Sequence, residues 1–130
     1  MSKLLVDTSA WIQYFRSGQG AASDRIEEEL EGSGVATCGV VLAELLRGVR
    51  GKKEERLLAD LFLAVDYAEI DRADWENAGR LIAADRTRRN NVPLTDALIA
   101  QVCIRRGWRL LTLDKHFELF DQLECVHLQS

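Results

Sequence analysis

The chain has 130 residues, of which 47% are hydrophobic and 29% charged, with a net charge of −4; this describes one domain, residues 1–130, large enough to bury its own core. No apolar stretch approaches the roughly 18 residues of a membrane span, and the opening Met1-Ser2-Lys3-Leu4-Leu5-Val6-Asp7 lacks the long apolar segment and cleavage site of a secretory signal. A purely electrostatic nucleic-acid binder would usually be basic; the three cysteines, Cys38, Cys103 and Cys125, have no metal-type spacing and read as reduced core thiols, so a cytoplasmic protein is expected.

Short apolar strands alternate with amphipathic helices along the chain. Leu4 to Val6 reads as a buried first strand. Thr8 and Ser9 suit a helix start, and Ala10 to Phe15 makes a short helix ended by the turn Ser17-Gly18-Gln19-Gly20. A second helix covers about Ala22 to Leu30 and stops at Gly32-Ser33-Gly34. Val35 to Cys38 is the second strand. A nearly all-apolar helix follows from about Val40 to Leu46, and Glu54 to Ala64 is a further helix. Tyr67 to Ile70 is the third strand. Asp71 caps a long helix to about Arg88, with Asn90-Asn91-Val92-Pro93 as the break. Thr95 and Asp96 open a helix that reaches Arg105 and closes at Gly107. Arg109 to Thr112 is the fourth strand, Lys115 to Phe120 a short helix, and Cys125 to Leu128 a last strand. Continuous apolar strands alternating with helices imply a parallel sheet covered on both faces. Ligands in such sheets bind at the carboxyl ends of the strands.

Four acids stand in apolar runs. Asp7 ends Leu4-Leu5-Val6, Glu44 interrupts Val40 to Leu46, Asp96 sits in Leu94 to Ala100, and Asp114 ends Leu110 to Leu113. A carboxylate in apolar surroundings is costly unless a positive charge meets it. No lysine or arginine lies in the same runs, so a bound cation is the expected partner. At about 100° per residue, Asp96 shares a helix face with Ile99, Ala100 and Cys103, with Gln101 and Arg105 opposite. An acid favoured by the helix dipole is the competing reading, but it does not explain why the acid shares the apolar stripe. Glu44 shares its face with Val40, Val41 and Gly48, and its alternative is an ion pair with Arg47. Asp7 and Asp114 could each cap the following helix, although Thr8 or Ser9 could do so in place of Asp7. Asp60, by contrast, falls opposite the stripe of Leu57, Leu58, Leu61 and Phe62 and reads as a surface acid. Oxygen-only ligands point to Mg²⁺ or Mn²⁺ rather than zinc. One or two such ions suit phosphodiester hydrolysis, because a metal lowers the pKa of a water nucleophile and stabilises the leaving oxygen.

At these acids the chain resembles the PIN-domain ribonucleases, and more narrowly the VapC-type toxins of bacterial and archaeal toxin–antitoxin pairs. The matching pieces are Leu5-Val6-Asp7-Thr8-Ser9, Val41-Leu42-Ala43-Glu44-Leu45-Leu46-Arg47-Gly48, Pro93 to Ala100, and Leu111-Thr112-Leu113-Asp114-Lys115-His116-Phe117, in the family's order. The resemblance covers essentially the whole chain. It implies a three-layer α/β/α fold with a central parallel sheet of about five strands, and Mg²⁺- or Mn²⁺-dependent endoribonuclease action. It carries catalysis and metal binding onto Asp7, Glu44, Asp96 and Asp114, with Thr112 in support and Thr8 or Ser9 assisting Asp7. Where family members often carry a further acid, this chain has His116, which bears on one metal ion against two. The resemblance also implies a homodimer and a cognate antitoxin whose tail lies across the acidic pocket and can insert an arginine. Trp11, Tyr14 and Phe15 are candidates for that groove or for the core, and Trp75 and Trp108 for the core or helix packing.

Basic residues cluster in three places: Arg47-Arg50-Lys52-Lys53-Arg56, Arg86-Arg88-Arg89, and Arg105-Arg106-Arg109. Each alone reads as a solvated helix face. Beside the four acids, Arg47, Arg88 and Arg89 are candidates for guiding RNA phosphates, and His116 for phosphate contact or proton transfer. Competing readings are a housekeeping PIN nuclease, a receiver-like α/β signalling domain with an acidic Mg²⁺ pocket and a phosphorylatable Asp71, and a catalytically dead binding module.

Overall fold

The computed structural model describes residues 2–126 and residue 128, the side chain of residue 85 excepted. Strands β1 (Leu4–Val6), β2 (Val35–Cys38), β3 (Asp66–Ala68), β4 (Arg109–Leu111) and β5 (Glu124–Val126) form one sheet. Between them run helices α1 (Thr8–Ser17), α2 (Ala21–Glu31), α3 (Gly39–Gly48), α4 (Gly51–Leu63), α5 (Arg72–Ala83), α6 (Asp85–Arg89) and α7 (Leu94–Arg106), then a 3-10 turn at Lys115–Leu119. The strand order is β3-β2-β1-β4-β5 and every pairing is parallel.

β1 lies at the centre, with Leu4 beside Val35 on one side and Arg109 on the other. Successive strand residues face opposite sides of a sheet, yet Leu4, Leu5 and Val6 are all fully buried. Helices therefore cover both faces, which gives the expected α/β/α layers. The chain moves outward from β1 through β2 to β3, then returns to β1's other side for β4 and β5. The order reverses between β1 and β4, and this is where an open parallel sheet leaves a crevice for chemistry.

The same order removes the receiver-like reading, whose sheet would run 2-1-3-4-5. Asp71 has a different task. It caps α5 at the edge strand by accepting a hydrogen bond from the Asp74 amide at 3.0 Å, while the Asp74 carboxylate accepts from the Asp71 amide at 3.2 Å.

The helix expected from Asp71 to Arg88 is interrupted. Ala84 is extended, with φ −60° and ψ 143°, so α5 ends at Ala83 and α6 restarts at residue 85. The cause is Thr87, whose buried hydroxyl lies within hydrogen-bonding reach of the Leu81, Ile82 and Ala84 carbonyls at the frayed end of α5. The last strand is also shorter than expected; residue 127 lies outside the described residues. Trp75 is not a core residue, since it is 52% exposed on α5. Trp108 is half-buried beneath the Arg106 guanidinium, 5.3 Å from the ring centre.

The third basic cluster is structural. Arg105 makes a two-pronged contact with the fully buried Asp74 carboxylate, at 2.7 and 2.9 Å, and joins α7 to α5. Arg106 donates to the Glu69 carbonyl at 3.0 Å. Arg109 spans Glu29, with two bonds of 3.2 Å, and the Ser2 carbonyl at 2.8 Å. Burial alone would raise the Asp74 carboxyl, but Arg105, the Asp71 amide and Gln101 outweigh it and hold it below the usual carboxylate value.

Removing one partner of a buried, hydrogen-bonded pair strands the other charge. Arg105→Ala, which leaves the fully buried Asp74 carboxylate without its cation, is expected to lower unfolding stability by about 3–5 kcal/mol in urea titrations, whereas Trp75→Ala should stay within about 0.5 kcal/mol of the parent, as exposed substitutions do.

Candidate active site

Asp7 follows β1 and occupies the position before α1, yet its side chain does not cap that helix. Its Oδ2 accepts hydrogen bonds from the Thr112 hydroxyl at 2.7 Å and the Ser9 hydroxyl at 3.0 Å. These hydroxyls are themselves placed by the chain after β4. The Asp114 amide donates to Thr112 Oγ1 at 3.0 Å, and the Leu113 amide donates to Ser9 Oγ at 3.0 Å. Thr112 thus ties the backbone of one acid to the carboxylate of another, across the crevice between β1 and β4.

Thr8 and Ser9 divide their work. Ser9 donates to Asp7. Thr8 instead donates to Glu44 Oε1 at 2.7 Å and fixes the Glu44 side chain on α3. A rotation of about 100° between neighbouring helical residues is enough to send the two hydroxyls to different acids. Glu44 holds this bond in place of the alternative ion pair with Arg47, which is exposed on α3. Asp114 does cap, since its Oδ1 accepts from the His116 amide at 2.9 Å and starts the 3-10 turn. Asp60 is exposed on α4, as its helix face predicts.

Asp96 stands in the first turn of α7, partly buried and turned toward the other acids. The helix itself differs from a one-sided amphipathic element. Ala97 through Cys103 are all buried, Gln101 included, because α5 covers the face opposite Asp96. Asp96 is therefore held by a helix wedged on both sides.

Burial pushes the Asp96 carboxyl up to about 6, and the charges of Asp114, Asp7 and Glu44 add to the shift; His116 acts in the opposite sense. Burial also raises Asp7, against the hydrogen bonds from Thr112, Ser9 and the Thr8 amide, and Glu44 adds to the rise. Lysine and arginine ion pairs are made elsewhere, on Asp66, Glu29, Glu76, Asp121 and Asp74, whereas at the acids His116 Nδ1 stands 3.5 Å from Asp114 Oδ1. The carboxylates thus form a partly desolvated, mutually repelling group, whose oxygen donors fit a hard divalent cation. The tightest arrangement combines Asp96, Asp114 and His116, whose donor atoms lie within 4.8 Å of one another. Asp7 and Glu44 stand outside that trio, close enough to act on Asp96 through their charge.

Glu44 also lines a groove of about 360 Å³ between α1, α3 and α4, with Ile12, Phe15, Gly48 and Leu57. A Cβ at Gly48 would meet nothing within 4 Å, so the glycine leaves this face open. Of the three aromatic residues on α1, Trp11 is in the core, Phe15 is in the groove, and Tyr14 donates to Glu27 at 2.6 Å. The contribution of α4 was not among the sequence expectations. Its signal was the spacing of Ile12 and Phe15, apolar residues on the face of α1 that the core does not use.

A family model described as PIN domain matches residues 4–123. A VapC ribonuclease of Mycobacterium bovis and the ribonuclease VapC11 of Mycobacterium tuberculosis are each 29% identical to the chain over 131 residues, covering 98% of both partners. In architecture the chain is similar to VapBC2 from Rickettsia felis, solved bound to a DNA fragment from its promoter, with a TM-score of 0.80, 18% identity and coverage of 97% and 98%. It is also similar to Mycobacterium tuberculosis VapC20, described as a Sarcin-Ricin loop cleaving toxin, with a TM-score of 0.71, 22% identity and coverage of 89% and 93%.

The repulsion around Asp96 has a measurable consequence. Its folded pKa is raised, so the folded protein holds a proton that the unfolded chain releases between pH about 4 and 6. The resulting loss of stability is absent below that window and complete above it. Asp96→Asn removes the charge, and without added metal it should unfold about 4 °C above the parent at pH 7.5, equivalent to about 1 kcal/mol. The gain should vanish as the pH falls to about 4, which melting curves across that range would check.

Proposed function

The chain belongs to the PIN-domain family, and on that premise we propose that it is a metal-dependent endoribonuclease and the toxin of a toxin–antitoxin pair. The observation that carries this reading is the meeting of Asp7, Glu44, Asp96 and Asp114 from four separate segments at the β1–β4 crevice, with Asp96 held near pKa 6. In this reading the four carboxylates bind Mg²⁺ or Mn²⁺. When bound, such an ion acidifies a water nucleophile and stabilises charge developing on the phosphodiester.

The residues of the chain supply orientation. Thr112 and Ser9 fix Asp7 Oδ2, so that carboxylate meets the substrate side without a search among rotamers. Thr8 does the same for Glu44. The Asp114 backbone is anchored through Thr112, and its side chain is steadied by the His116 amide. Such outer hydrogen bonds set donor direction and basicity at a metal centre. Arg88 and Arg89 on α6 and Arg47 on α3 are exposed and flank the acids in sequence; RNA phosphates are their proposed partners.

The partner we propose for the groove is a cognate antitoxin. An apolar segment would lie along Ile12, Phe15 and Leu57, and an arginine from it would reach Glu44 and the repelling carboxylates. A guanidinium is the side chain best suited to a carboxylate cluster in place of the metal. A homodimer is the proposed state of the free toxin.

Purified, antitoxin-free protein should cut RNA at discrete positions with Mg²⁺ or Mn²⁺ and stop cutting with EDTA. Asp7→Ala and Asp96→Ala should each reduce cleavage to the EDTA level in the same gel assay, and activity that survives both substitutions rejects the assignment. The Arg88→Ala/Arg89→Ala protein is expected to bind uncut RNA more weakly, with a shallower dependence on salt; filter binding at several ionic strengths reads both quantities.

A further inference from the structure

His116 is the one member of the tight donor trio that is not an acid, and its placement follows from local geometry. The Asp114 side chain accepts the His116 amide at 2.9 Å, which closes the start of the 3-10 turn. That contact draws the imidazole back over the acid, and Nδ1 stands 3.5 Å from Asp114 Oδ1. The ring is half-exposed, so it is not present to fill the core. Its donor atom lies within 4.8 Å of the donors of both Asp96 and Asp114. In an octahedral site with bonds of about 2.1 Å, ligand atoms are about 2.9 Å apart when adjacent and about 4.2 Å apart when opposite. The trio is close to that range before any adjustment to an ion.

We propose that His116 is a nitrogen ligand to the divalent ion beside Asp96 and Asp114, and that this mixed nitrogen–oxygen set makes the centre select Mn²⁺ over Mg²⁺. The inference rests on the metal-dependent reading above and specifies its ion. Mg²⁺ is a hard ion that holds oxygen ligands and water and tolerates little departure from its geometry. Imidazole nitrogen favours transition metals, and Mn²⁺ is the member of that series that also accepts carboxylate and water. A fifth carboxylate at this position would add negative charge to an already repelling group. Neutral imidazole completes the coordination without adding that charge.

The test uses the full-length antitoxin-free protein loaded with Mn²⁺, read by pulsed electron paramagnetic resonance. A nitrogen coupling of imidazole type is expected on the Mn²⁺ signal, shifting to the ¹⁵N pattern when the protein is grown with ¹⁵N-histidine, and absent from His116→Ala and His116→Asp. In competition titrations, His116→Asp should lower the preference for Mn²⁺ over Mg²⁺, because it puts an oxygen donor in place of the nitrogen. If Mn²⁺ binds in an Asp96-dependent manner but shows no nitrogen coupling, His116 is not a ligand and the inference fails while the nuclease reading stands. If the parent binds no Mn²⁺ at millimolar concentration, the inference fails, and if it binds no Mg²⁺ either, the metal-dependent reading fails with it. A nitrogen coupling that persists in His116→Ala also overturns the assignment.

Discussion

The contact on which the site depends is the pair of hydroxyls, Ser9 and Thr112, that close on Asp7 Oδ2. Neither hydroxyl neutralises the carboxylate. They hold it ionisable in a buried place, opposing the desolvation that would otherwise drive it to its neutral form. Because Ser9 belongs to α1 and Thr112 follows β4, the same bonds close the crevice where the sheet reverses direction. Glu44, Asp96 and Asp114 are then arranged around an acid already fixed in direction, and their repulsion is retained in the fold. On the metal-dependent reading, a divalent ion relieves this repulsion, and stability and ion binding are then set by one electrostatic balance.

The inner strands β1 and β2 were legible in the sequence because a parallel sheet buries both their faces, as with Leu4-Leu5-Val6, whereas the edge strand expected at Tyr67 to Ile70 lies at Asp66–Ala68, with Asp66 and Tyr67 exposed. The direction of Asp96 was legible for a similar reason, since a helix face is a matter of spacing alone. Other features depended on distant partners. The division of Thr8 and Ser9 between two acids could not be read from adjacent hydroxyls. The break at Ala84 comes from the Thr87 hydroxyl reaching back to carbonyls, which a helical periodicity does not register. The burial of Gln101 opposite Asp96 needed α5 in place.

The basic clusters make the point in charge rather than shape. All three look alike in sequence. Arg105 and Arg109 prove to be internal fasteners whose partners, Asp74 and Glu29, lie 31 and 80 positions away. Composition therefore overstates the cationic surface available to a polyanion. The other two clusters, on α3 and α4 and on α6, are exposed, in a protein whose net charge is −4.

The distance in sequence between Asp7 and Thr112, 105 positions, has a bearing on how the protein comes to exist. Contacts between remote segments form late in folding, and a growing chain presents its amino-terminal residues first. A polypeptide that has emerged only as far as α7 contains Asp7, Glu44 and Asp96 but has neither the hydroxyl that orients the first nor the strand that completes the crevice. Its acids are then dispersed carboxylates in a loose chain. On the ribonuclease reading, chemistry begins only once the segment carrying β4 and Thr112 has been made and has docked beside β1.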